Sequence, residues 1–153
     1  MKYIPLTKGK FAIVDDDDYE ALICFKWHCN AAGYSVRRIT IGPGKRAMVL
    51  MHRLIAGTPP GKETDHINMD KLDNRKCNLR ICTPAENKWN LGKRKDNMSG
   101  YKGVGWHKGT KKFMARIRHN NTRMYLGLFP TAKAAHNAYK LAAATYHGEF
   151  SHT

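Results

Sequence analysis

The sequence predicts an α+β protein built from small antiparallel sheets and a few helices, and three stretches carry that prediction. Residues 63–90 pass from short extended segments into a well-capped helix, which indicates a strand–loop–strand–helix unit. Residues 112–119 alternate between apolar and polar side chains, as a half-buried antiparallel strand does. Residues 11–50 contain short apolar runs broken by Gly and Pro, which favour further small strands and one short helix.

The first 50 residues form a leader in this prediction. We expect a strand, an acidic helix entry, a short helix and two further strands, over Phe11–Val14, Asp15–Asp18, Tyr19–Phe25, Gly33–Thr40 and Arg46–Leu50. Acidic residues stabilise a helix N-terminus, so the run of four Asp is expected to be a solvated cap and not a second metal site. A short helix over 51–56 leads out of the leader.

Two arginines in the leader are candidate contacts to a phosphate backbone. Arg37 and Arg38 lie on the first of the two strands that the Gly-Pro-Gly-Lys turn joins. The alternative is that they are exposed basic side chains without a function.

The central stretch places an acid and an imidazole side by side. Asp65 and His66 lie in a predicted strand, Glu63–Ile67; a carboxylate can hold a metal ion and a neutral imidazole can accept a proton from water. A polar loop and a second strand, Leu79–Cys82, follow. We therefore expect a small ββα unit.

The helix of this unit has a strong start signal. Thr83 suits the N-cap, Pro84 the first helical position, and Glu86 completes a Thr-x-x-Glu capping box. The helix is therefore predicted to begin at Pro84. Asn87 then lies in its first turns, from where its amide oxygen could point back at Asp65.

The order and spacing of these residues resemble the HNH nucleases, in the homing-endonuclease branch whose last motif residue is Asn. The matching segments, in the family's order, are Asp65-His66-Ile67-Asn68, Asp73-Asn74-Arg75, Asn78-Leu79-Arg80 and Thr83-Pro84-x-Glu86-Asn87. The resemblance implies that His66 is the general base, that Asp65 and Asn87 hold Mg²⁺ or Mn²⁺, and that Asn78 braces the loop and the base. Taken singly, each fragment would favour a turn or a cap.

Charge points to a polyanionic partner. The chain has 27 Lys and Arg against 12 Asp and Glu, a formal charge of +15 at pH 7. Residues 97–153 hold nine of those basic residues and a single acid, Glu149. A solvated surface normally mixes both signs, so the imbalance favours nucleic acid.

Apolar runs long enough to cross a membrane are missing from the sequence, and the first residues lack the apolar segment of a secretion signal. We therefore expect a soluble intracellular protein without a membrane partner. The resemblance to homing endonucleases implies the cytoplasm of a bacterial host or a phage-infected cell.

Four cysteines form two Cys-x4-Cys pairs that bracket the centre, namely Cys24 with Cys29 and Cys77 with Cys82. A structural zinc site is one interpretation. Reduced thiols in or near the core are the preferred one, because zinc knuckles use a shorter spacing and the second pair flanks a predicted strand.

The last part of the chain predicts three strands and a helix. The strands are Gly103–His107, Lys112–His119 and Arg123–Phe129. Thr131 then caps a helix that ends at Gly148. Its apolar stripe consists of Ala135, Ala138, Tyr139, Ala142 and Tyr146. This stripe is expected to cover one face of the sheet and to leave a basic face open.

Residues 99–150 resemble the plant Apetala-two and ethylene-response DNA-binding domain. The resemblance rests on Tyr101-Lys102-Gly103-Val104, Ala115-Arg116-Ile117-Arg118, Tyr125-Leu126-Gly127-x-Phe129 and the Ala-rich helix. It implies DNA contacts from Lys102, Gly105, His107, Arg116, Arg118, Arg123 and Tyr125. Gly105 stands where Arg is usual and Tyr125 where Trp is usual, so only the docking mode carries over.

The sequence therefore predicts four parts: a leader (1–50), an HNH ββα-metal nuclease domain (51–91), a basic linker (92–98) and an Apetala-two-like DNA-binding domain (99–153). Lys93 and Arg94 in the linker are further candidate DNA contacts. The expected function is site-directed cleavage of double-stranded DNA by a one-metal HNH mechanism, with Mg²⁺ or Mn²⁺ and no small-molecule cofactor. The alternative is a DNA-binding regulator with a decayed nuclease centre. The sequence leaves open whether the protein is a monomer or a dimer.

Overall fold

A computed structural model describes residues 1–152 of the chain. The chain divides into two compact units, Met1–Asn87 and a second that begins at Lys88. Both mix small antiparallel sheets with short helices, so the α+β class is confirmed. In the first unit lie the leader and most of the central stretch. Within the described residues, no helix is long and apolar enough to span a membrane.

The first unit opens with a hairpin and a helix. Strands β1 (Lys2–Pro5) and β2 (Phe11–Val14) are antiparallel, and helix α1 runs over Asp16–Ile23. Strand β1 was not predicted, and α1 begins three residues earlier than expected, with Asp16, Asp17 and Asp18 in its first turn. The core of this unit contains Ile4, Leu6, Ala12, Val14, Leu22, Trp27 and Met51.

A second sheet of the first unit contains the expected hairpin. Its strands are β3 (His28–Cys29), β4 (Ser35–Gly42) and β5 (Lys45–Leu50), in that order and all antiparallel. Helix α2 (Met51–Ile55) follows directly. The short strand β3 was not predicted, since two residues are too few to show a period.

The central stretch forms a two-stranded sheet and a helix. Strand β6 (Glu63–His66) pairs with β7 (Leu79–Cys82), and helix α3 covers Pro84–Asn90. The capping box is present: the Thr83 amide donates to Glu86 Oε2 at 2.7 Å, and the Glu86 amide donates to Thr83 Oγ1 at 3.2 Å. The predicted start of α3 at Pro84 is confirmed because both local donors are satisfied.

The second unit contains a three-stranded antiparallel sheet and a long helix. Strand β9 (Lys112–His119) lies between β8 (Val104–His107) and β10 (Thr122–Phe129), and helix α4 spans Ala132–His147. As predicted, Thr131 caps α4, accepting from the Ala134 amide at 3.1 Å. Short 3-10 turns occupy Thr7–Gly9, Lys76–Asn78 and Gly148–Phe150.

The apolar stripe of α4 differs at its end from the prediction. Ala135, Tyr139, Ala143 and His147 are buried, whereas Tyr146 is 41% exposed. These four buried residues are spaced four apart, so they lie along one face of the helix, and that face packs on the sheet. The buried face therefore ends at His147. Tyr146 therefore does not belong to the core.

Gly103 is required for this packing. Its φ is +75°, and a Cβ added there would overlap the ring of Tyr139. We expect Gly103→Ala to destabilise the second unit by about 2–4 kcal/mol, from the left-handed backbone and overpacking together. Urea unfolding followed by tryptophan fluorescence measures the change. Gly105→Ala is the matched control, because a Cβ there meets nothing within 4 Å; equal losses in the two variants would contradict the packing argument.

Candidate active site

Asp65 and His66 are the last two residues of strand β6, and the pairing of β6 with β7 determines which residues lie opposite them. Asp65 lies opposite Arg80, and His66 lies opposite Leu79. Neighbouring side chains of a strand leave opposite faces of the sheet. The carboxylate and the imidazole therefore leave the strand in different directions, yet they stay close enough for the charge of Asp65 to act on the pKa of His66.

The His66 imidazole is enclosed on several sides. The residue is 4% exposed, and its ring centroid lies 4.9 Å from that of His52 and 6.0 Å from that of Tyr34. Burial lowers the pKa of His66 below its ordinary value, an effect that the hydrogen bond with Asn74 and the nearby carboxylates only partly oppose. The ring is therefore neutral at pH 7, the state that can accept a proton.

Asn74 contacts the Nε2 edge of the His66 ring. Its Oδ1 lies 3.4 Å from His66 Nε2, while its own amide nitrogen donates to the Leu72 carbonyl at 3.0 Å. An amide oxygen only accepts hydrogen bonds, so this contact favours the tautomer with the proton on Nε2 and the lone pair on Nδ1.

Asn78 holds the loop between the two strands. Its Oδ1 accepts from the Asn68 amide at 3.0 Å, and its Nδ2 donates to the Asp73 carbonyl at 2.8 Å. Asp73 in turn receives two bonds of 2.7 Å from the Arg75 guanidinium, which holds the pKa of that carboxyl below its usual range. The loop thus has a polar internal framework, and it is Asn74, not Asn78, that approaches the His66 ring.

The leader also supports this loop. The Ile13 amide donates to the Leu72 carbonyl, and the Asn74 amide donates to the Ile13 carbonyl, both at 2.8 Å. Farther along, the Lys76 amide donates to Asp15 Oδ2 at 2.8 Å and its ammonium lies 3.0 Å from Asp18 Oδ1. Two members of the acidic run thus bind the loop as well as lying at the start of α1.

Two polar pairs lie on the side of β6 that carries Asp65 and Glu63. Arg80 donates two hydrogen bonds to Asp65 Oδ2, at 2.9 and 2.7 Å. On α3, the Asn87 amide nitrogen donates to Glu63 Oε2 at 2.6 Å. Glu63 and Asp65 are two apart in β6 and so share a face of the sheet.

This donor set fits a hard divalent cation. Two carboxylates and one amide supply oxygen atoms only, which suits Mg²⁺ or Mn²⁺ better than zinc. Asn87 turns its amide nitrogen toward Glu63, which leaves Oδ1 as its only possible metal ligand. No group of three or more His, Cys, Asp or Glu side chains within residues 1–152 is arranged to hold a metal.

Three of the four predicted nuclease residues lie close together, and the fourth is connected to them indirectly. Asp65, His66 and Asn78 lie on one strand pair and its loop, whereas Asn87 is linked to the strand through Glu63. The sequence reading missed the contacts of Glu63, Arg80, Asn74 and Tyr34. Strand register could have indicated Arg80, since it lies opposite Asp65; nothing local indicates Tyr34.

The four cysteines are free thiols that differ in exposure. Cys24 and Cys77 are exposed, Cys29 is half-buried and Cys82 is buried. Burial and the nearby carboxylates raise the pKa of the Cys82 thiol to about 11, and its Sγ donates to the Glu63 carbonyl at 3.6 Å. Cys82 is therefore a protonated thiol at pH 7.

In the second unit, the open face of the sheet collects most of the residues proposed to contact DNA. Arg123 lies opposite Arg118, Tyr125 opposite Arg116, and His107 opposite Lys112. Directly paired residues point to the same side of a sheet. We call the set of His107, Arg116, Arg118, Arg123 and Tyr125 the basic face. Ala115 and Ile117, on the opposite side of β9, are buried.

Lys102 differs from this set. Its ammonium donates to the carbonyls of Trp89 and His152, at 2.6 and 2.8 Å, and burial lowers its pKa to about 8. These bonds hold the ends of the second unit together. A lysine engaged in this way is a poor contact for phosphate.

Of the other basic residues predicted to contact DNA, three have partners close to them in the structure. The Arg37 guanidinium lies 3.6 Å from the centre of the Phe25 ring and 5.5 Å from that of Trp27, so its planar group is used in packing. Arg94 pairs with Asp96 at 2.8 Å, and the Lys93 ammonium donates to the Gly100 carbonyl at 3.2 Å. Arg38 is exposed.

Comparison with known proteins gives matches to the central stretch and to most of the chain. A family model described as HNH endonuclease matches residues 49–88. An uncharacterized HNH endonuclease of Acanthamoeba polyphaga mimivirus is 30% identical over 145 residues, which cover 94% of this chain and 74% of that protein. Protein 3.8 of Escherichia phage T7 is 44% identical over 50 residues, 33% of this chain and 41% of that protein. No solved structure gives a significant match.

Proposed function

Because the chain belongs to the HNH endonuclease family, we propose that it is a site-directed endonuclease that hydrolyses phosphodiester bonds of double-stranded DNA with one bound Mg²⁺ or Mn²⁺. This proposal rests on the side chains found together at the end of strand β6. The neutral, buried imidazole of His66 follows directly after the Asp65 carboxylate, whose charge reaches it, and Glu63 and Asn87 add further oxygen atoms that suit a hard cation.

His66 serves as the general base. With the proton on Nε2 directed at Asn74, its Nδ1 lone pair can take a proton from the attacking water. The hydroxide formed attacks phosphorus, and the bond to the 3′ oxygen breaks. Asn78 keeps the loop, and with it Asn74, in place.

Asp65 and Asn87 would hold the metal ion, in a ββα-metal arrangement of β6, β7 and α3. When bound, the ion supplies positive charge to the leaving 3′ oxygen. Glu63 orients the Asn87 amide, and Arg80 orients the Asp65 carboxylate and offsets part of its charge.

The basic face would direct this centre to its sites. Three Arg and one exposed Tyr on the open side of a three-stranded sheet fit the major groove, in the manner of the Apetala-two-like domain that the sequence resembles. Arg38, Lys93 and Arg94 would add contacts to the phosphate backbone. We place Lys102 outside this set, as a residue that stabilises the second unit.

A plasmid assay tests the proposed function. We expect supercoiled DNA to be nicked or linearised in Mg²⁺ or Mn²⁺ and to stay intact in EDTA. We also expect Asp65→Ala to abolish cleavage and to weaken Mn²⁺ binding measured by calorimetry. DNA binding without cleavage in either ion would favour the alternative, a regulator with an inactive centre.

A further inference from the structure

We propose that Tyr34 and His52 are positioning residues for His66, so that the leader supplies part of the active-site wall. This inference rests on the proposed function, in which His66 is the base. Tyr34 belongs to the leader, residues 1–50, whose role the sequence leaves undefined, whereas His52 lies in helix α2 just beyond it. We call Tyr34 and His52 the aromatic wall.

The three rings pack against one another. The Tyr34 and His52 centroids are 5.1 Å apart and the rings are tilted by 45°, while His52 meets His66 nearly edge to face, at 69°. His52 and His66 are 5% and 4% exposed. Aromatic pairs at such distances and angles are attractive, and buried rings rotate only if their neighbours move.

Tyr34 lies directly before β4 and is held there by two hydrogen bonds with Asn30. The Tyr34 amide donates to Asn30 Oδ1 at 2.9 Å, and its carbonyl accepts from the Asn30 amide at 3.0 Å. On its other side, the Lys71 ammonium lies 4.7 Å from the centre of the Tyr34 ring and donates to the Ala32 carbonyl at 2.8 Å. Lys71 belongs to the loop of the nuclease centre, so this contact joins that loop to the leader.

A histidine side chain has two rotatable bonds, so more than one contact is needed to fix where its ring nitrogens point. Asn74 selects which ring nitrogen faces it, but its contact of 3.4 Å is long and cannot fix the plane of the ring. The aromatic wall restricts that plane. Asn74 and the aromatic wall together direct the Nδ1 lone pair to one place, and a displacement of about 1 Å can cost roughly 10²-fold in rate.

His52 acts in this wall as a flat, uncharged ring. Its Nδ1 is buried without a hydrogen-bond partner in the described part of the chain. Burial, with the neighbouring His66 and Arg53, lowers the pKa of His52 to about 3. A phenylalanine should therefore replace it without the loss of an Nδ1 hydrogen bond.

The test uses two pairs of variants in the full chain. We expect Tyr34→Ala and His52→Ala to lower kcat by about 10–100-fold, with the Kd for DNA measured in Ca²⁺ changed by less than about 2-fold. We expect Tyr34→Phe and His52→Phe, which keep the rings, to stay within about 3-fold of the wild-type kcat. If the Ala variants fail to fold, Tyr34→Leu and His52→Leu fill the space without a flat ring and replace them.

Tyr19→Ala is the matched control. Tyr19 is a half-buried tyrosine of the leader with a lysine over its ring, the Lys2 ammonium at 4.5 Å, as Lys71 lies over Tyr34. The Tyr19→Ala variant should lower the stability of the first unit, while its kcat stays above about half of the wild-type value. An equal fall of kcat in Tyr19→Ala would show general destabilisation and would overturn the proposal.

An NMR readout separates this inference from the proposed function. The imidazole ¹H–¹⁵N signals of His66, assigned through loss in His66→Ala, should shift in Tyr34→Ala and His52→Ala and remain in place in the Phe variants and in Tyr19→Ala. These NMR shifts are expected even if the wild-type protein cuts no DNA. Such a lack of cleavage would reject the proposed endonuclease function but not the positioning of His66 by the aromatic wall. Unmoved signals in both Ala variants would overturn the positioning role. So would an equal loss of kcat in Tyr34→Phe and Tyr34→Ala, since the hydroxyl would then be the active group.

Discussion

His66→Ala is expected to lower kcat by roughly 10²–10⁴-fold, the usual worth of a positioned general base, while the Kd for DNA stays nearly the same. The physical reason is that alanine leaves no group to accept the proton of the attacking water, whereas the side of β6 that carries Asp65 and Glu63 and the basic face are unchanged. Single-turnover cleavage in Mg²⁺, with binding measured separately in Ca²⁺, determines both quantities.

His28→Ala is the control for this variant, since His28 is a half-buried histidine of the same unit on the short strand β3. It should cleave at the wild-type rate. If His66→Ala instead cleaves at nearly that rate while binding DNA normally, the assigned mechanism is wrong. His52 would then be the next candidate, although it is 5% exposed and its low pKa makes it a weak base.

The double variant Arg116→Ala/Arg118→Ala should have the second large effect, on affinity and site preference. Both side chains are exposed on the central strand of the basic face. A guanidinium that reads a guanine edge contributes about 1–3 kcal/mol, so losing two should weaken specific binding by roughly 30-fold or more. Titrations at several salt concentrations, on specific and random duplexes, measure this loss.

A charge-matched control is Lys133→Ala/Lys140→Ala, which removes two exposed positive charges from α4 instead of the sheet. It should change affinity much less. Reduced preference at particular base pairs in the Arg variant would indicate base readout, and a uniform loss on all sequences would indicate phosphate contacts. Equal losses in both double variants would contradict a special role for the basic face.

Features set by neighbouring residues could be predicted from the sequence. Strands β2, β7 and β9 and the starts of α3 and α4 have the bounds that alternation and capping residues indicate. The order of Asp65, His66, Asn78 and Asn87 was also enough to indicate the family, which the mimiviral relative shows. These signals are local because a strand period or a capping box involves residues only two or three positions apart.

The surroundings of the site were decided by the tertiary structure. Tyr34 meets His66 across 32 positions of sequence, Ile13 binds the loop at Leu72 and Asn74, and Lys102 turns its ammonium inward to backbone carbonyls. No periodicity marks such contacts, because they depend on how separate segments pack and on which buried polar groups remain to be satisfied. The sequence by itself thus determined the family and most of the helices and strands. Only the packed structure decided which neighbours surround the His66 imidazole and which basic side chains lie exposed on the open face of the sheet, because both depend on contacts between segments far apart in the sequence.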